Sequence, residues 1–352
     1  MKNKTKIFLS IILIIGISAG LMATYLYLTY YKSNIKNQQE IYIYKDYSYS
    51  QAIDTINSSG AIKDINSFKR AALNKKLENT LKPGKYTLKK GMDNNQIIAT
   101  LANGWQTPTK VVLSGNIMTL ENLAGKLGKQ FEADSTEFIT TLNDSAFTDS
   151  LDFDFQNIIG MFILNTYEFY WTSTPKNVMH RFKKEYDKFW NETRMDKAKQ
   201  IGLTPQKVIT LASIVAGESN YVPEQPRIAG VYINRLNKKM KLQADPTIRY
   251  IAIKNEPGIT RILKKHTKLK SPYNTYLNRG LPPGPIAIPS LSSIKSVLDY
   301  EVHSYIYFCA NSTFDGTHLF AKSYTQHLKN ARKFHKALTR REKEKAATKV
   351  SK

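Results

Sequence analysis

LTPQKVITLASIVAGES, residues 203–219, is the stretch on which the reading turns. Thr204 makes a good helix N-cap, because its hydroxyl can take a backbone N–H left unpaired in the first turn, and Pro205 suits the first helical position, where no donor is needed. From there Val208, Leu211 and Val215 recur at steps of three and four, the spacing of one apolar stripe along a helix. The next position on that stripe is Glu218. A carboxyl group therefore continues a row that faces a core, close to the C-terminal end of its helix. Desolvation and the negative end of the helix dipole both disfavour the anion and raise the pKa. An acid so placed suits proton transfer near neutral pH. The plainer alternative is a glutamate at a fraying helix end, bonded to a nearby donor.

Further along, Gln225–Asn237 reads as a second helix, and a third starts at Asp245-Pro246-Thr247, with Asp245 as its expected N-cap. Residues 271–290, SPYNTYLNRGLPPGPIAIPS, are too rich in Pro and Gly for regular helix. Ser290–Val297 has helical spacing again, and Tyr305–Ala310 is β-like, leading through Asn311–Gly316 to His318–Ala321. From His335 the chain is charged and poor in apolar residues, which predicts a frayed helix or disorder. Upstream, Val178–Arg194 is amphipathic, and Met179, Phe182, Tyr186 and Phe189/Trp190 read as core.

Towards the N-terminus a pattern of short strand, turn and helix recurs. Ile53 and Ile56 follow Asp46 at the offsets at which Ile98 and Leu101 follow Gly91, and Leu120, Leu123 and Leu127 follow Gly115 more loosely. The strands are Ile41–Tyr44, Tyr86–Leu88 and Val111–Leu113, and a helix over Ile65–Leu77 lies between the first two copies. Before them, Ile7–Tyr31 carries no charge, follows Lys2, Lys4 and Lys6, and ends in a cluster of tyrosines. Such a run is long enough to span ~30 Å of hydrocarbon, with the aromatic rings at an interface. The lysines favour an N-inside orientation, and the run lacks the small-x-small site expected of a cleaved signal peptide.

The 352 residues carry a net charge of +24, a field that attracts polyanions. One cysteine, Cys309, cannot form an internal disulfide. No HExxH, paired histidine spacing, GxxxxGK[ST], GxGxxG or GxSxG occurs, so metal, nucleotide and serine-hydrolase chemistry lack support, and neither a metal nor a cofactor is expected. Between Leu203 and His335 the acids are Glu218, Glu224, Asp245, Glu256, Asp299, Glu301 and Asp315.

Leu211–Val215, Glu218, Asn234-Arg235-Leu236, Met240, Leu242-Gln243 and Asp245-Pro246-Thr247, with Tyr273–Tyr276 and Gly280–Ile286 further on, resemble the motifs of the endolytic murein transglycosylases, the YceG-like family. The terminal element Tyr307–Ala310, Gly316, His318 and Phe320 is similar as well. The chain departs from the family pattern at Ala216 and Gly217, where a Glu and a Lys are usual, and at Ile159, Leu164 and Asn165, where two acids and a proline are replaced.

The resemblance implies an α+β chain with a cytoplasmic N-terminus (1–6), a transmembrane helix (7–31), a linker (32–40), a LysM-like module (41–105), a connector or second repeat (106–150), a mixed α/β catalytic domain (151–335) and a basic tail (336–352). It implies a peptidoglycan lytic transglycosylase outside the cytoplasm, with Glu218 as acid and then base. Ser219, Asn234, Gln243, Asp245, Tyr273, Asn274, Thr275 and Tyr276 become the expected substrate-binding residues, although a capping role competes at Asp245 and Asn234, and packing at the tyrosines. His318 is a secondary candidate. Expected partners are glycan strands, the membrane and cell-wall synthases with elongation or division proteins, but no nucleic acid. A glycan-binding scaffold without activity and a hydrolytic muramidase are the alternatives.

Overall fold

The computed structural model describes residues 2–256, 258–259 and 262–350. Helix α1, Lys2–Leu26, continues into a π-helical turn at Tyr27–Tyr31. Within Lys4–Tyr31 the mean hydropathy reaches 2.4, and the helix is long and apolar enough to cross a membrane.

Contacts divide the chain into two compact units. The first comprises Met1–Val111, Gln130–Ala133 and Tyr167–Thr174. In it, strand β1 (Gln39–Ile43) is followed by α2 (Tyr49–Ser58), α3 (Ile65–Asn74), β2 (Gly84–Leu88), α4 (Asn94–Asn103) and β3 (Thr109–Val112), whose last residue lies outside the unit. β1 and β2 pair antiparallel, Ile41 opposite Tyr86. Capping boxes fix both helix starts that follow a strand: Ser48 with Gln51 for α2, and Asp93 with Gln96 for α4. The repeated pairs Ile53/Ile56 and Ile98/Leu101 enter one core, together with Phe68, Leu77 and Tyr86. Within residues 32–40, expected as a linker, Asn34 and Ile35 are buried and the rest is mostly exposed. Ile35 is fully buried and bridges Ile62, while Ser33 bridges Asp93.

The second unit comprises Val112–Lys129, Asp134–Thr166 and Pro175–Lys352. It thus takes in most of the segment expected as a connector, which forms α5 (Leu120–Gly128), α6 (Ser135–Asn143) and α7 (Ser145–Asp149). Strand β4 (Thr166–Phe169), which belongs to the first unit from Tyr167 on, pairs there with β3. The amphipathic run from Val178 divides into α8 (Pro175–Phe189) and α9 (Glu192–Ile201), because the Asn191 side chain accepts the N–H of Arg194 and starts a new helix.

The centre of this unit is α10 (Pro205–Glu218), packed against α11 (Gln225–Asn237), α12 (Asp245–Asn255) and α13 (Leu291–Leu298). Val208 through Val215 are all buried, and Thr204 caps the helix as expected. An antiparallel hairpin, β5 (Tyr307–Ala310) and β6 (His318–Ala321), completes the unit with α14 (Tyr324–Val350). Helices dominate, and the strands of the described residues occur in two-stranded sheets, a mixed helix and strand architecture in keeping with the expected α+β class. The charged segment after His335, expected as a frayed helix or disorder, is helical in the structure. α14 runs on to Val350, with an i,i+4 pair between Arg340 and Glu344, while residues 351–352 lie outside the described residues.

Candidate active site

The apolar stripe of α10 ends at Glu218, and the next residue, Ser219, turns extended (φ −148°, ψ 132°). This stop leaves the carboxylate at the end of the buried row, at the edge of a cavity of about 360 Å³. Close packing allows α12 to meet the same helix end. A Cβ at Gly217 would lie 2.6 Å from Pro246 Cβ, so the glycine admits the Asp245-Pro246 start of α12 beside Glu218. The departure from the family pattern at Gly217 thus has a steric counterpart in this chain.

Tyr232, on α11, donates its hydroxyl to Glu218 Oε1 at 2.5 Å. Burial pushes the Glu218 carboxyl up to about 7. The Tyr232 hydrogen bond pulls it down, the Asp245 charge pushes it up, and the Arg235 charge pulls it down, and burial wins. The Tyr232 phenol is itself held well above its ordinary value by burial and by the Glu218 charge.

Arg235 lies one turn beyond Tyr232 and is buried. Its Nε donates to Ile306 O at 2.7 Å and its Nη1 to Leu242 O at 2.5 Å, while its guanidinium sits 5.4 Å from the centre of the Tyr307 ring. One side chain therefore ties α11, the turn before α12 and β5 together around the cavity. A planar group with several donors suits this role better than a flexible ammonium.

The expected substrate residues separate into two groups. Gln243, Asp245 and Tyr276 line the cavity with Glu218. Gln243 has a left-handed backbone (φ 49°) and donates its N–H to Thr275 O. Tyr276 donates its hydroxyl to Asp245 Oδ1 at 2.6 Å. Asp245 does not cap α12, contrary to the expectation. Ala244 holds the cap position without a side-chain bond, and Asp245 is the first helical residue, which leaves its carboxylate for the cavity.

Ser219, Asn234, Tyr273, Asn274 and Thr275 support the walls instead. Ser219 accepts the N–H of Tyr221, and its carbonyl accepts the Gln225 amide. Asn234 donates to the carbonyls of His303 and Tyr305. Tyr273 packs on Tyr250, with ring centres 4.9 Å apart. Asn274 is fully buried and donates to the carbonyls of Thr267 and Leu269. Thr275 accepts the Ala244 N–H and meets the Thr247 hydroxyl at 2.9 Å, which pins the turn carrying Gln243 and Asp245.

The YceG-like family profile matches residues 41–333. The chain belongs to the YceG-like family. It is 30% identical over 265 residues, 71% of this chain and 72% of the relative, to a Bacillus subtilis protein named endolytic murein transglycosylase. It is 27% identical over 278 residues to a protein of the same name from Streptococcus pneumoniae, of which it spans 50%. A crystal structure of a YceG-like protein from Listeria monocytogenes is similar with a TM-score of 0.56, at 26% identity, covering 83% of this chain and 98% of that one.

Within this family member, Tyr232, Arg235, Tyr307, Phe308, Cys309, Tyr324 and His327 also line the cavity and were missed by sequence reasoning. Tyr232 and Arg235 had a usable signal. They fall three apart on α11, as polar groups on the buried face that also carries Ile228, Val231 and Ile233. Among the described residues no group of three or more His, Cys, Asp or Glu side chains could hold a metal ion.

Proposed function

We propose that this chain is a lytic transglycosylase that cleaves the β-1,4 bond between N-acetylmuramic acid and N-acetylglucosamine in peptidoglycan. The observation that carries the reading is Glu218, an acid with a pKa of about 7 at the edge of a polar cavity, held by a tyrosine hydroxyl. Near neutrality such a group exists in both forms, so it can give a proton and then take one. As acid it protonates the bridging oxygen. As carboxylate it accepts the proton of the muramic C6 hydroxyl, whose oxygen attacks C1 of its own ring. The product is a 1,6-anhydro end, and no water is consumed. The attacking hydroxyl is intramolecular, so a high effective molarity replaces activation of water by a second carboxylate. The relatives named endolytic murein transglycosylase support this assignment.

Gln243, Asp245 and Tyr276 then face the sugar. α1 would hold the cleft near a membrane on its extracytoplasmic side, within reach of nascent strands and of the synthases that make them. The strand–helix–helix–strand arrangement from β1 to β2 supports a LysM-like reading of the small module.

A second reading follows from Asp245, a second carboxylate at the same cavity. Hydrolytic glycosidases use such a pair, one residue as acid and the other as nucleophile or as base for water. One digest separates the readings. The full chain in detergent micelles is incubated with peptidoglycan strands, and the new ends are read by mass spectrometry. Anhydro ends that vanish in Glu218→Gln support the proposal. Reducing ends would establish a muramidase, and no new ends would leave a glycan-binding scaffold.

A further inference from the structure

Glu224 is a buried carboxylate that the mechanism above does not use. It lies in the short turn between α10 and α11, with 7% of its surface exposed. Both of its oxygens are taken by one residue. Oε1 accepts the backbone N–H of His318 at 2.9 Å, and Oε2 lies 2.6 Å from His318 Nδ1. With Glu224 as a carboxylate, which offers only lone pairs, the proton in the short contact sits on Nδ1. That leaves Nε2 as the nitrogen available to another group.

His318 lines the cavity that holds Glu218. Nε2 has no polar partner among the described residues, nor is it sealed in the interior. Phe308 fixes the ring from the side, edge-on at 5.3 Å, and the same Phe308 meets Tyr232 edge-on at 5.9 Å. Tyr232 in turn holds Glu218. The imidazole and the acid thus stand around one cavity with their positions linked through a shared aromatic ring.

We propose that His318 is a second substrate-contacting residue, whose Nε2 accepts a hydrogen bond from a hydroxyl of the sugar bound beside Glu218, and that Glu224 is the positioning residue that fixes its tautomer. The inference rests on the glycan-cleaving reading of the same cavity. A buried carboxylate behind an imidazole orients the ring and sets which nitrogen carries the proton, and behind metal-bound histidines loss of such a partner typically costs about 10–100-fold in affinity or activity. His318 lines the cavity while its Nε2 keeps no polar partner among the described residues, an arrangement that a purely structural pair does not require.

The test uses the full chain in detergent micelles with peptidoglycan strands, counting anhydro ends by mass spectrometry. His318→Asn keeps an N–H for Glu224 and removes Nε2, so it isolates the proposed contact. It is expected to lose activity on the order of 10–100-fold while its melting temperature stays close to wild type. Glu224→Gln is expected to fall by a similar factor. His318→Ala is expected to recover activity when imidazole is added, whereas His318→Asn is not, because its side chain fills the space. A structural role would show no rescue. If His318→Ala does not fold, the Asn variant decides alone. Anhydro ends from wild type together with unchanged turnover in a folded His318→Asn would overturn this inference and leave the function standing. No anhydro ends from wild type would instead remove the reading on which it rests.

Discussion

Asn94 in the first unit and Glu218 in the second both stand at a helix end with polar atoms drawn out of solvent, and their surroundings treat them in opposite ways. Asn94 opens α4. Its amide donates to Thr29 O at 2.7 Å and to Ser67 Oγ at 3.0 Å, and its oxygen accepts from Asn34 at 2.8 Å. Asn34 completes the circle through Asp64, accepting its N–H and donating to its carbonyl. Ser67 donates to Leu28 O. Every group is neutral and paired, and the effect is to fix the turn after α1 to α3 and α4. Around Glu218 the groups are ionisable, and their effects conflict: burial and Asp245 favour the protonated acid, while Tyr232 and Arg235 favour the anion. A closed neutral network specifies one structure, whereas an acid balanced between two states is suited to move a proton.

The largest contrast comes from removing the two central groups. Glu218→Gln is expected to lower turnover by roughly 10²–10⁴-fold, the usual range for a general acid, as counted from anhydro ends. The same change should stabilise the fold. A carboxyl raised to about 7 in the folded state and near 4.5 when unfolded makes the protein lose stability as pH rises between those values. The gain in melting temperature for Gln should therefore be absent at pH 4, grow through that window and be complete above pH 7. Asn94→Ala is the opposite case. It strands one N–H of the Asn34 amide and two acceptors, at a cost of about 1–3 kcal/mol. Hydrogen exchange should show α3 and α4 losing protection, with glycan cleavage in detergent unchanged. Loss of cleavage in that variant would mean that the first unit is part of the chemistry.

The difference between the two clusters also explains what could be read from the chain. Glu218 was legible because one acid interrupted the stripe Val208–Leu211–Val215, and a period of 3.6 exposes such an exception. The helix near Ser290 was legible through its apolar spacing, and the helix at Gln225 and the two strands ending at Ala321 also stand where the sequence places them. The closed network of Asn34, Ser67 and Asn94 was not, since its members are far apart in sequence and each is an ordinary polar residue in its own window. Asp245 looked like a cap because an aspartate before Pro246 usually is one, and only the path of the turn pinned by Thr275 moves it one place into α12. Asn274 and Asn234 are read as sugar-binding candidates because sequence shows that an amide is present, while the carbonyls each one meets are visible only in the structure. Tyr232 was passed over as one more aromatic on a buried helix face.

Tyr232→Phe probes the balance at Glu218 from one side. The hydroxyl stabilises the anion, so its loss should raise the pKa of the acid above about 7. The activity against pH, read as kcat/KM, should then keep its plateau to higher pH, because the step that needs the protonated acid survives longer. Turnover at neutral pH should fall by roughly tenfold, because the later step needs the carboxylate, and a hydrogen bond to a charged group is being lost.

Asp245→Asn probes the same balance from the other side, with the smallest expected effect. The Asp245 charge raises the Glu218 pKa, so neutralising it should lower that pKa and bring the alkaline fall of kcat/KM to lower pH. The movement should be modest, because burial is the leading cause of the shift and is untouched. The two variants move the limb in opposite directions, and the double variant should return towards wild type if the effects are independent. Both residues surround one carboxylate, so a deviation from additivity measures their coupling. Were the limb to stay fixed in both single variants, the pH dependence would belong to a group other than Glu218. Were Asp245→Asn instead to abolish turnover with the limb unmoved, Asp245 would itself be handling a proton, and the two-carboxylate reading would gain the ground that the transglycosylase reading loses.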